Sequence, residues 1–214
     1  SSENINWLLN IRGRDNNFSP ILNCFAIFNK SKEIVHVFCN LNKISKKLKN
    51  SLVSFVNFHE EKNIYNFLKD NRNQVLFDKN FISIKLFNHI KKYSKKIKGI
   101  EDPIYFEKSK KTTHEIESAK QVHQKDGVAV TKFIIWIKNQ KIKNLDEITA
   151  QNKLENLRKK SNFYQGPSFS TISAFEKNGA IIHYNALNYR KTCFKNNSSY
   201  LANIVTKLIT FQYI

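Results

Sequence analysis

Apolar residues at the start of the chain fall into short runs that polar segments separate. Residues 5–9, 21–28 and 34–39 are apolar runs of strand length, and polar residues fill 12–19 and 29–32. Apolar runs of roughly four to eight residues, bounded by turn-forming residues, are typical of buried strands. The pattern therefore predicts three strands, of which the last two form a hairpin.

The next segment alternates between helical and strand-like patterns. Residues 41–52 carry apolar positions at helical spacing, and helices are also predicted at 60–68 and 81–93. Short apolar runs at 53–58 and 75–77 predict strands between these helices. Strands that are followed by alternating helices and strands favour an α/β layer architecture for this part of the chain.

A change in composition predicts a domain boundary. The Lys-rich stretch at 91–98 is followed by Gly99 and Pro103, and the apolar periodicity breaks there. Such breaks are typical of the segments between domains. We therefore predict a first domain at residues 1–105 and a second domain at residues 106–214.

The second domain begins with helix-start signals. Thr112 and Glu115 have the spacing of a capping box, in which each side chain satisfies a free main-chain N–H, and they predict a long helix. Gly127 interrupts this helix at a cost of about 1 kcal/mol relative to alanine, which predicts close packing there. His123 lies on or beside the apolar stripe and is interpreted as a structural histidine. Asp146 is a favourable N-cap for a second helix.

The segment at 169–184 predicts a β-hairpin that ends in a histidine. Two apolar runs flank the Asn178-Gly179 dipeptide, which is typical of tight hairpin turns with positive φ. A looser turn that begins at Glu176 is the alternative. Either turn places His183 at the far end of the second strand. Spacing alone favours a hydrogen-bonded, partly buried strand histidine at this position.

The chain is strongly basic, with a net charge of +19, which raises the question of nucleic-acid binding. Only 5 of the 36 basic residues are Arg, and the excess of Lys accompanies excess Asn, Ile and Phe, a composition typical of AT-rich coding sequences. Arg is the usual reader of bases and phosphates. We therefore favour a solvated lysine surface, with a functional basic patch as the alternative, and do not expect a nucleic-acid partner.

The cysteines and the overall hydropathy bear on location. Cys24 and Cys39 lie inside apolar runs, and none of the 3 cysteines has CxxC spacing. We expect buried free thiols at these two positions, and the odd number of cysteines favours a reducing, cytoplasmic compartment. No apolar run approaches the ~20 residues that a membrane-spanning helix needs, so no membrane association is expected.

Four blocks of the sequence resemble segments of one protein family, in the order of that family. They read INWLLNIRG at 5–13, THEIESAKQVHQKDGVAV at 113–130, DEITAQNKLENLR at 146–158 and SFSTISAFEKNGAIIHY at 168–184. These blocks are similar to parts of the Xaa-Pro aminopeptidases, the proline-specific branch of the pita-bread metallopeptidases. The first block resembles the start of the second domain in the long, three-domain members.

The resemblance implies a fold and an activity. The implied fold is α/β, with a ribonuclease-H-like, creatinase N-terminal-like mixed-sheet domain followed by an incomplete pita-bread α+β catalytic domain. The implied activity is metal-dependent hydrolysis of the bond between an N-terminal residue and proline, on peptides with proline at the second position. The complete enzyme is expected to hold two Mn²⁺ or Zn²⁺ ions and to form a homodimer.

The resemblance also assigns roles to individual residues. His183 becomes the catalytic residue that donates a hydrogen bond to the substrate carbonyl or to the tetrahedral oxyanion. Tyr184 and Phe169 line the wall of the cleft without a chemical role. Arg12 belongs to a string of the family, where a salt bridge and a substrate contact are both open.

The metal ligands of the family are missing from this sequence. The first two are aspartates in a segment that begins just after the point matching Tyr200 and Leu201, and a histidine and two glutamates follow much later. This sequence has no Asp after Asp146 and no Glu after Glu176. We therefore expect a fragment that is truncated or frame-shifted after about residue 201, binds no metal and is inactive alone. A metal-less binding module for protein or nucleic acid is the alternative, and a non-functional gene product is a third reading.

Overall fold

The computed structural model describes residues 1–70, 74–140, 145–186, 193–194, 199–203 and 206–208. The chain divides into two units, Ser1–Lys110 and Lys111–Ile214. Each unit contains both helices and strands, as expected of a mixed α/β protein.

The first unit combines a three-stranded sheet, a two-stranded sheet and several short helices. In chain order its elements are α1 (Ser2–Leu8), β1 (Phe25–Asn29), β2 (Ile34–Cys39), α2 (Lys46–Leu52), β3 (Val56–Glu60), α3 (Ile64–Asp70), β4 (Gln74–Asp78), α4 (Ile84–Tyr93), β5 (Lys96–Ile100) and α5 (Pro103–Ser109). Strand β2 pairs antiparallel with β1 and parallel with β3, and β4 pairs parallel with β5. The predicted hairpin of β1 and β2 is confirmed.

Strand β2 lies at the centre of the first unit because both of its faces are covered. Val37 and Cys39 belong to one buried cluster, and Phe38 belongs to a second. Alternate residues of a strand face opposite sides, so the run of β2, in which His36 is the one polar residue, indicates a strand that is buried on both faces. Cys24 joins the first cluster, and both it and Cys39 are buried free thiols, as predicted.

The first predicted strand, at residues 5–9, is wrong, because Ser2–Leu8 forms a helix that is capped by the Ser1 side chain. Asn6 is one of the buried residues of this helix. Its Nδ2 donates to the carbonyl of Leu22 at 2.9 Å, and its Oδ1 accepts from the N–H of Leu22 at 2.9 Å. The periodicity of a short apolar run does not distinguish a helix from a strand. Here the helix places the Asn6 side chain where it makes both hydrogen bonds to Leu22.

The sequence also missed a strand. The Lys-rich stretch that marked the predicted domain boundary contains β5, in which Ile97 packs against the buried cluster around Phe38 while Lys96 and Lys98 are exposed. A strand with one apolar position between two lysines gives a weak hydrophobic signal. Elsewhere the boundaries shift: the helix predicted at 41–52 begins at Lys46, after a 3₁₀ turn.

In its described residues, the second unit contains two α-helices and two antiparallel strand pairs. In chain order its elements are α6 (Thr113–Lys138), α7 (Glu147–Arg158), β6 (Tyr164–Pro167), β7 (Ile172–Phe175), β8 (Tyr200–Asn203) and β9 (Thr206–Leu208). β6 pairs with β9 and β7 pairs with β8. The capping box of Thr112 and Glu115 is present, and Asp146 caps α7, as predicted. The two helices pack around Phe133, Ala150 and Leu154.

A buried ion pair joins α6 to α7. The Arg158 guanidinium is only 2% exposed and binds the Asp126 carboxylate through Nε at 2.8 Å and Nη2 at 3.0 Å. The prediction of close packing at Gly127 is wrong, because among the described residues no atom outside its own stretch of helix would lie within 4 Å of a Cβ at this position. His123 is an exposed helix histidine, and its Nδ1 lies 2.7 Å from the carbonyl of Ala119.

Candidate functional site

His183, the predicted catalytic residue, lies in an irregular turn and not on a strand. Strand β7 ends at a 3₁₀ turn, Glu176–Ala180, after which the Tyr184 N–H donates to the carbonyl of Ile181 at 3.2 Å. His183 is exposed, and its φ of 55° lies in the left-handed region that non-glycine residues rarely adopt. The structure therefore presents the imidazole from a strained position at the surface of the second unit.

The predicted hairpin around Asn178 and Gly179 is wrong. Strand β7 pairs with β8, which lies far along the chain, and Phe175 faces Tyr200 in that register. The turn does begin at Glu176, with a φ of 48°, as in the alternative interpretation. The segment that follows does not return beside β7, so the apolar run after Gly179 is not a strand.

A buried carboxylate holds this turn. Glu147 is the first residue of α7 and is 0% exposed. Its Oε1 accepts from the N–H of Phe175 at 2.7 Å and from Nδ2 of Asn178 at 2.9 Å, and its Oε2 accepts from the hydroxyl of Tyr184 at 2.7 Å. A buried charge is tolerated where hydrogen-bond donors surround it, and a carboxylate at a helix N-terminus also meets the positive end of the helix dipole.

Hydroxyl groups extend the network around Glu147. The Tyr184 hydroxyl also accepts from Nδ2 of Asn178 at 3.0 Å, so these three side chains form a closed triangle. The Ser173 hydroxyl donates to the main-chain carbonyl of Glu147 at 2.6 Å and pairs with the Tyr200 hydroxyl at 2.8 Å. The network thus ties α7 to β7, to β8 and to the segment that carries His183.

Burial changes the acidity of the two phenols in this network. It raises the pKa of Tyr184 to about 12, together with the hydrogen bond to the anionic Glu147. Burial also raises the pKa of Tyr200 to about 12. Both phenols are therefore neutral hydrogen-bonding groups at physiological pH. The hydrogen bonds of the network hold the segment that carries the exposed His183 imidazole. Neither tyrosine is placed to act as an acid or a base.

Sequence reasoning missed Glu147. An acidic residue directly after an N-cap aspartate is usually an exposed first-turn residue that complements the helix dipole. The three donors that bury Glu147 come from positions 175, 178 and 184, and their convergence depends on the tertiary fold. A weak signal was available, since Asn178 and Tyr184 belong to the same block as His183.

The other residues named from the sequence have different surroundings. Tyr184, expected along a cleft wall, is 1% exposed and lies in the network. Phe169 is half-buried before β7. In the first unit, Arg12 donates from Nη1 to the carbonyl of Ile11 at 2.8 Å and, at 3.5 Å, to that of Asn6. Within the described residues, Arg12 therefore binds main-chain oxygens and no carboxylate.

A dinuclear metal centre needs several ligand side chains that converge on two ions. Among the described residues, no three His, Cys, Asp or Glu side chains come together in a group that could hold a metal ion. The part of the chain that the structure describes therefore does not fit a dinuclear metal site. In the same part of the chain, no helix has the length and apolar character that crossing a membrane requires.

Comparison with protein families accounts for nearly the whole chain. Residues 1–115 match the creatinase/prolidase N-terminal domain, and residues 117–208 match metallopeptidase family M24. Among curated proteins, Xaa-Pro aminopeptidase 1 of Dictyostelium discoideum is 30% identical over 189 residues, covering 85% of this chain and 30% of that protein. A probable Xaa-Pro aminopeptidase P of Coccidioides posadasii is 31% identical over 199 residues, covering 86% of this chain and 32% of that protein. The chain thus spans about a third of the length of these relatives.

Solved structures show the same fold. An X-prolyl aminopeptidase from Caenorhabditis elegans, described as a cytosolic enzyme with a di-nuclear active site, matches 94% of this chain and 34% of its own with a TM-score of 0.78 at 22% identity. An Xaa-Pro dipeptidase from Bacillus anthracis matches 86% of this chain and 49% of its own with a TM-score of 0.62 at 15% identity. The expected fold, a creatinase N-terminal-like domain followed by part of a pita-bread catalytic domain, is confirmed. This chain belongs to the creatinase/prolidase N-terminal domain family, and it continues into a segment of metallopeptidase family M24.

Proposed function

We propose that this chain is part of a metal-dependent Xaa-Pro aminopeptidase, which hydrolyses the bond between an N-terminal residue and proline. The observation that carries the proposal is the exposed, strained His183 on a turn anchored by the buried Glu147, inside the segment that matches family M24. Relatives named as Xaa-Pro aminopeptidases that align over both units support it. Within this proposal, residues 1–105 form the creatinase-like domain and residues 106–214 begin the catalytic domain.

The proposed role of His183 follows from its chemistry and its position. The X–Pro bond is a tertiary amide without an N–H, so a site that cleaves it relies on contacts to the carbonyl oxygen. A neutral imidazole can donate a hydrogen bond to that oxygen and to the oxyanion that forms from it. The exposure of His183 leaves its ring accessible to a substrate. Such a preorganised donor contributes about 3–4 kcal/mol to the transition state in comparable sites.

The proposal extends to the cofactors, partners and location of the complete enzyme. We propose that it uses two divalent metal ions, Mn²⁺ or Zn²⁺, held by residues other than those described here. The substrates are peptides with proline at the second position, and the enzyme is a homodimer. A cytoplasmic location is proposed from the odd set of free thiols and from the C. elegans relative, which is described as cytosolic.

The experiment grafts this site into a relative. Residues 146–186 of this chain replace the aligned segment of the D. discoideum enzyme, and hydrolysis of the tripeptide Ala-Pro-Phe is measured with added Mn²⁺. We expect the graft to be active and His183→Ala within it to lower kcat by about two orders of magnitude or more, with unchanged metal content. Lys177→Ala, at an exposed position of the same turn, is the matched control and should leave kcat unchanged. Wild-type kcat in the His183→Ala graft, or loss of its metals, would contradict the proposed role.

The 214-residue chain itself provides a second test. Because its sequence has no Asp after Asp146 and no Glu after Glu176, we expect no turnover of Ala-Pro-Phe and no stoichiometric Mn²⁺ or Zn²⁺ binding. Turnover that depends on Mn²⁺ and disappears with a chelator would refute this expectation.

A further inference from the structure

We propose that Glu147 is a positioning residue that fixes the conformation in which His183 is presented. The proposal rests on the proposed function for the meaning of His183, but its geometry is independent of that function. Glu147 does not touch the imidazole through any contact described here; it acts through the segment on which His183 lies.

The donors to Glu147 bracket this segment. The N–H of Phe175 is at its start, the Asn178 amide is inside its 3₁₀ turn, and the Tyr184 hydroxyl is directly after His183. One carboxylate therefore fixes both ends and the middle of a ten-residue stretch, residues 175–184. His183 lies directly before Tyr184, the last of these three donors.

The backbone inside the bracket is strained. Glu176 and His183 both adopt left-handed conformations, with φ of 48° and 55°. Non-glycine residues keep such conformations only where the surroundings over-determine them. The hydrogen bonds to Glu147 supply that determination at Phe175 and at Tyr184, each adjacent to one of the two strained residues.

Only a carboxylate accepts all three bonds. Its two oxygens offer about four lone-pair directions and no hydrogen. A glutamine in the same place offers one acceptor oxygen, which can serve Phe175 and Asn178, and one NH₂ group, which cannot accept the hydrogen bond from the Tyr184 hydroxyl. Glu147→Gln therefore keeps the shape and burial of the side chain while changing the pattern of acceptors, which separates positioning from packing.

A matched control lies on the same helix. Glu155 is a carboxylate of α7 that also accepts a hydrogen bond from a phenol, Tyr164, at the start of β6. Glu155→Gln makes the same chemical change about two turns along α7 from Glu147, at roughly 3.6 residues per turn. A general loosening of α7 would affect both variants, whereas positioning of His183 requires Glu147 alone.

The test uses the 214-residue chain with ¹³C-labelled histidine. The ring resonances are assigned with His183→Gln, and His114 and His123 on α6 serve as internal references. In Glu147→Gln we expect the His183 resonance to move towards the position of an unstructured histidine, and the amides of 176–184 to exchange about tenfold faster or more. The references should stay unchanged, and Glu155→Gln should leave the His183 resonance in place. Unchanged His183 signals in a folded Glu147→Gln chain would overturn the proposal.

A second variant covers the case in which Glu147→Gln does not fold. Tyr184→Phe removes one donor and keeps the buried ring, and we expect a smaller movement of the His183 resonance in the same direction. If Glu147→Gln is unfolded and Tyr184→Phe leaves His183 unchanged, Glu147 has a structural role only and the proposal fails. The two hypotheses have separate tests. An unchanged kcat for His183→Ala in the grafted enzyme would refute the proposed function, whereas the His183 resonance in the 214-residue chain decides the positioning role.

Discussion

Replacing Asp126 by alanine should destabilise the second unit by about 2–4 kcal/mol. The change leaves the Arg158 guanidinium, which is 2% exposed, without the carboxylate that binds both its Nε and its Nη2. Removal of one partner from a fully buried ion pair costs roughly 3–5 kcal/mol, because the remaining charge stays buried. The Asp126 side chain is 20% exposed, so water can enter its place and reduce the cost to the lower figure.

Two controls separate this reasoning from a general effect of changing helix α6. Glu117 on the same helix pairs with Lys120 at 3.8 Å, and both side chains are more than half exposed. Glu117→Ala should therefore change the free energy of unfolding by about 0–0.5 kcal/mol. The double variant Asp126→Leu with Arg158→Met replaces the pair by apolar groups, and it should be more stable than Asp126→Ala by about 1 kcal/mol or more.

The assay can follow the second unit alone. The chain has 2 tryptophans, of which Trp7 lies in the first unit and Trp136 packs against Phe133 in the second. In a Trp7→Phe background, urea denaturation followed by fluorescence reports the unfolding of the second unit through Trp136. A free energy of unfolding for Asp126→Ala within about 0.5 kcal/mol of the background, or an equal loss in Glu117→Ala, would refute the argument from burial.

The first unit supplies two further predictions. Burial lowers the pKa of His36, aided by the charges of His59 and Lys32, and burial lowers the pKa of His59 below the ordinary 6.5. Because the folded state then binds fewer protons than the unfolded state, the free energy of unfolding should fall as the pH drops below about 6.5, and His36→Phe should flatten this dependence. An equally steep profile in that variant would contradict it. For the thiols, burial raises the pKa of Cys24 to about 12 and of Cys39 to about 11. Iodoacetamide should therefore label only the exposed Cys193 in the native chain. Labelling of Cys24 or Cys39 under native conditions would contradict their burial.

Local signals in the sequence predicted the parts of the fold that local interactions determine. The capping box before α6 and the N-cap of α7 depend on contacts within four residues, and both are present. The apolar runs at 21–28 and 34–39 predicted a hairpin, and β1 and β2 pair antiparallel as expected. The family resemblance, which uses the order of several blocks, gave the fold of both units.

Long-range pairing could not be predicted in the same way. The apolar run after Gly179 has the composition of a strand. Strand β7 nevertheless pairs with β8, so that Phe175 faces Tyr200. The segment expected to be the hairpin partner follows another course, in which the Tyr184 hydroxyl donates to the buried Glu147 carboxylate. A hydrophobic pattern shows which side chains are apolar. It does not show which distant strand or buried carboxylate will hydrogen-bond to that segment.

The strain at His183 and the burial of Glu147 explain each other. A left-handed residue costs about 1–3 kcal/mol, and a buried carboxylate costs more than that unless donors surround it. In this chain the same hydrogen bonds offset both costs, since the donors that satisfy Glu147 are those that hold the turn around His183. We therefore expect replacement of Glu147 to release the turn around His183, whereas replacement of the His183 side chain leaves all three donors to Glu147 in place. His183, the residue proposed to be catalytic, was therefore visible in the sequence as part of a family string, whereas the role of Glu147 became visible only in the structure, where α7 packs against the turn.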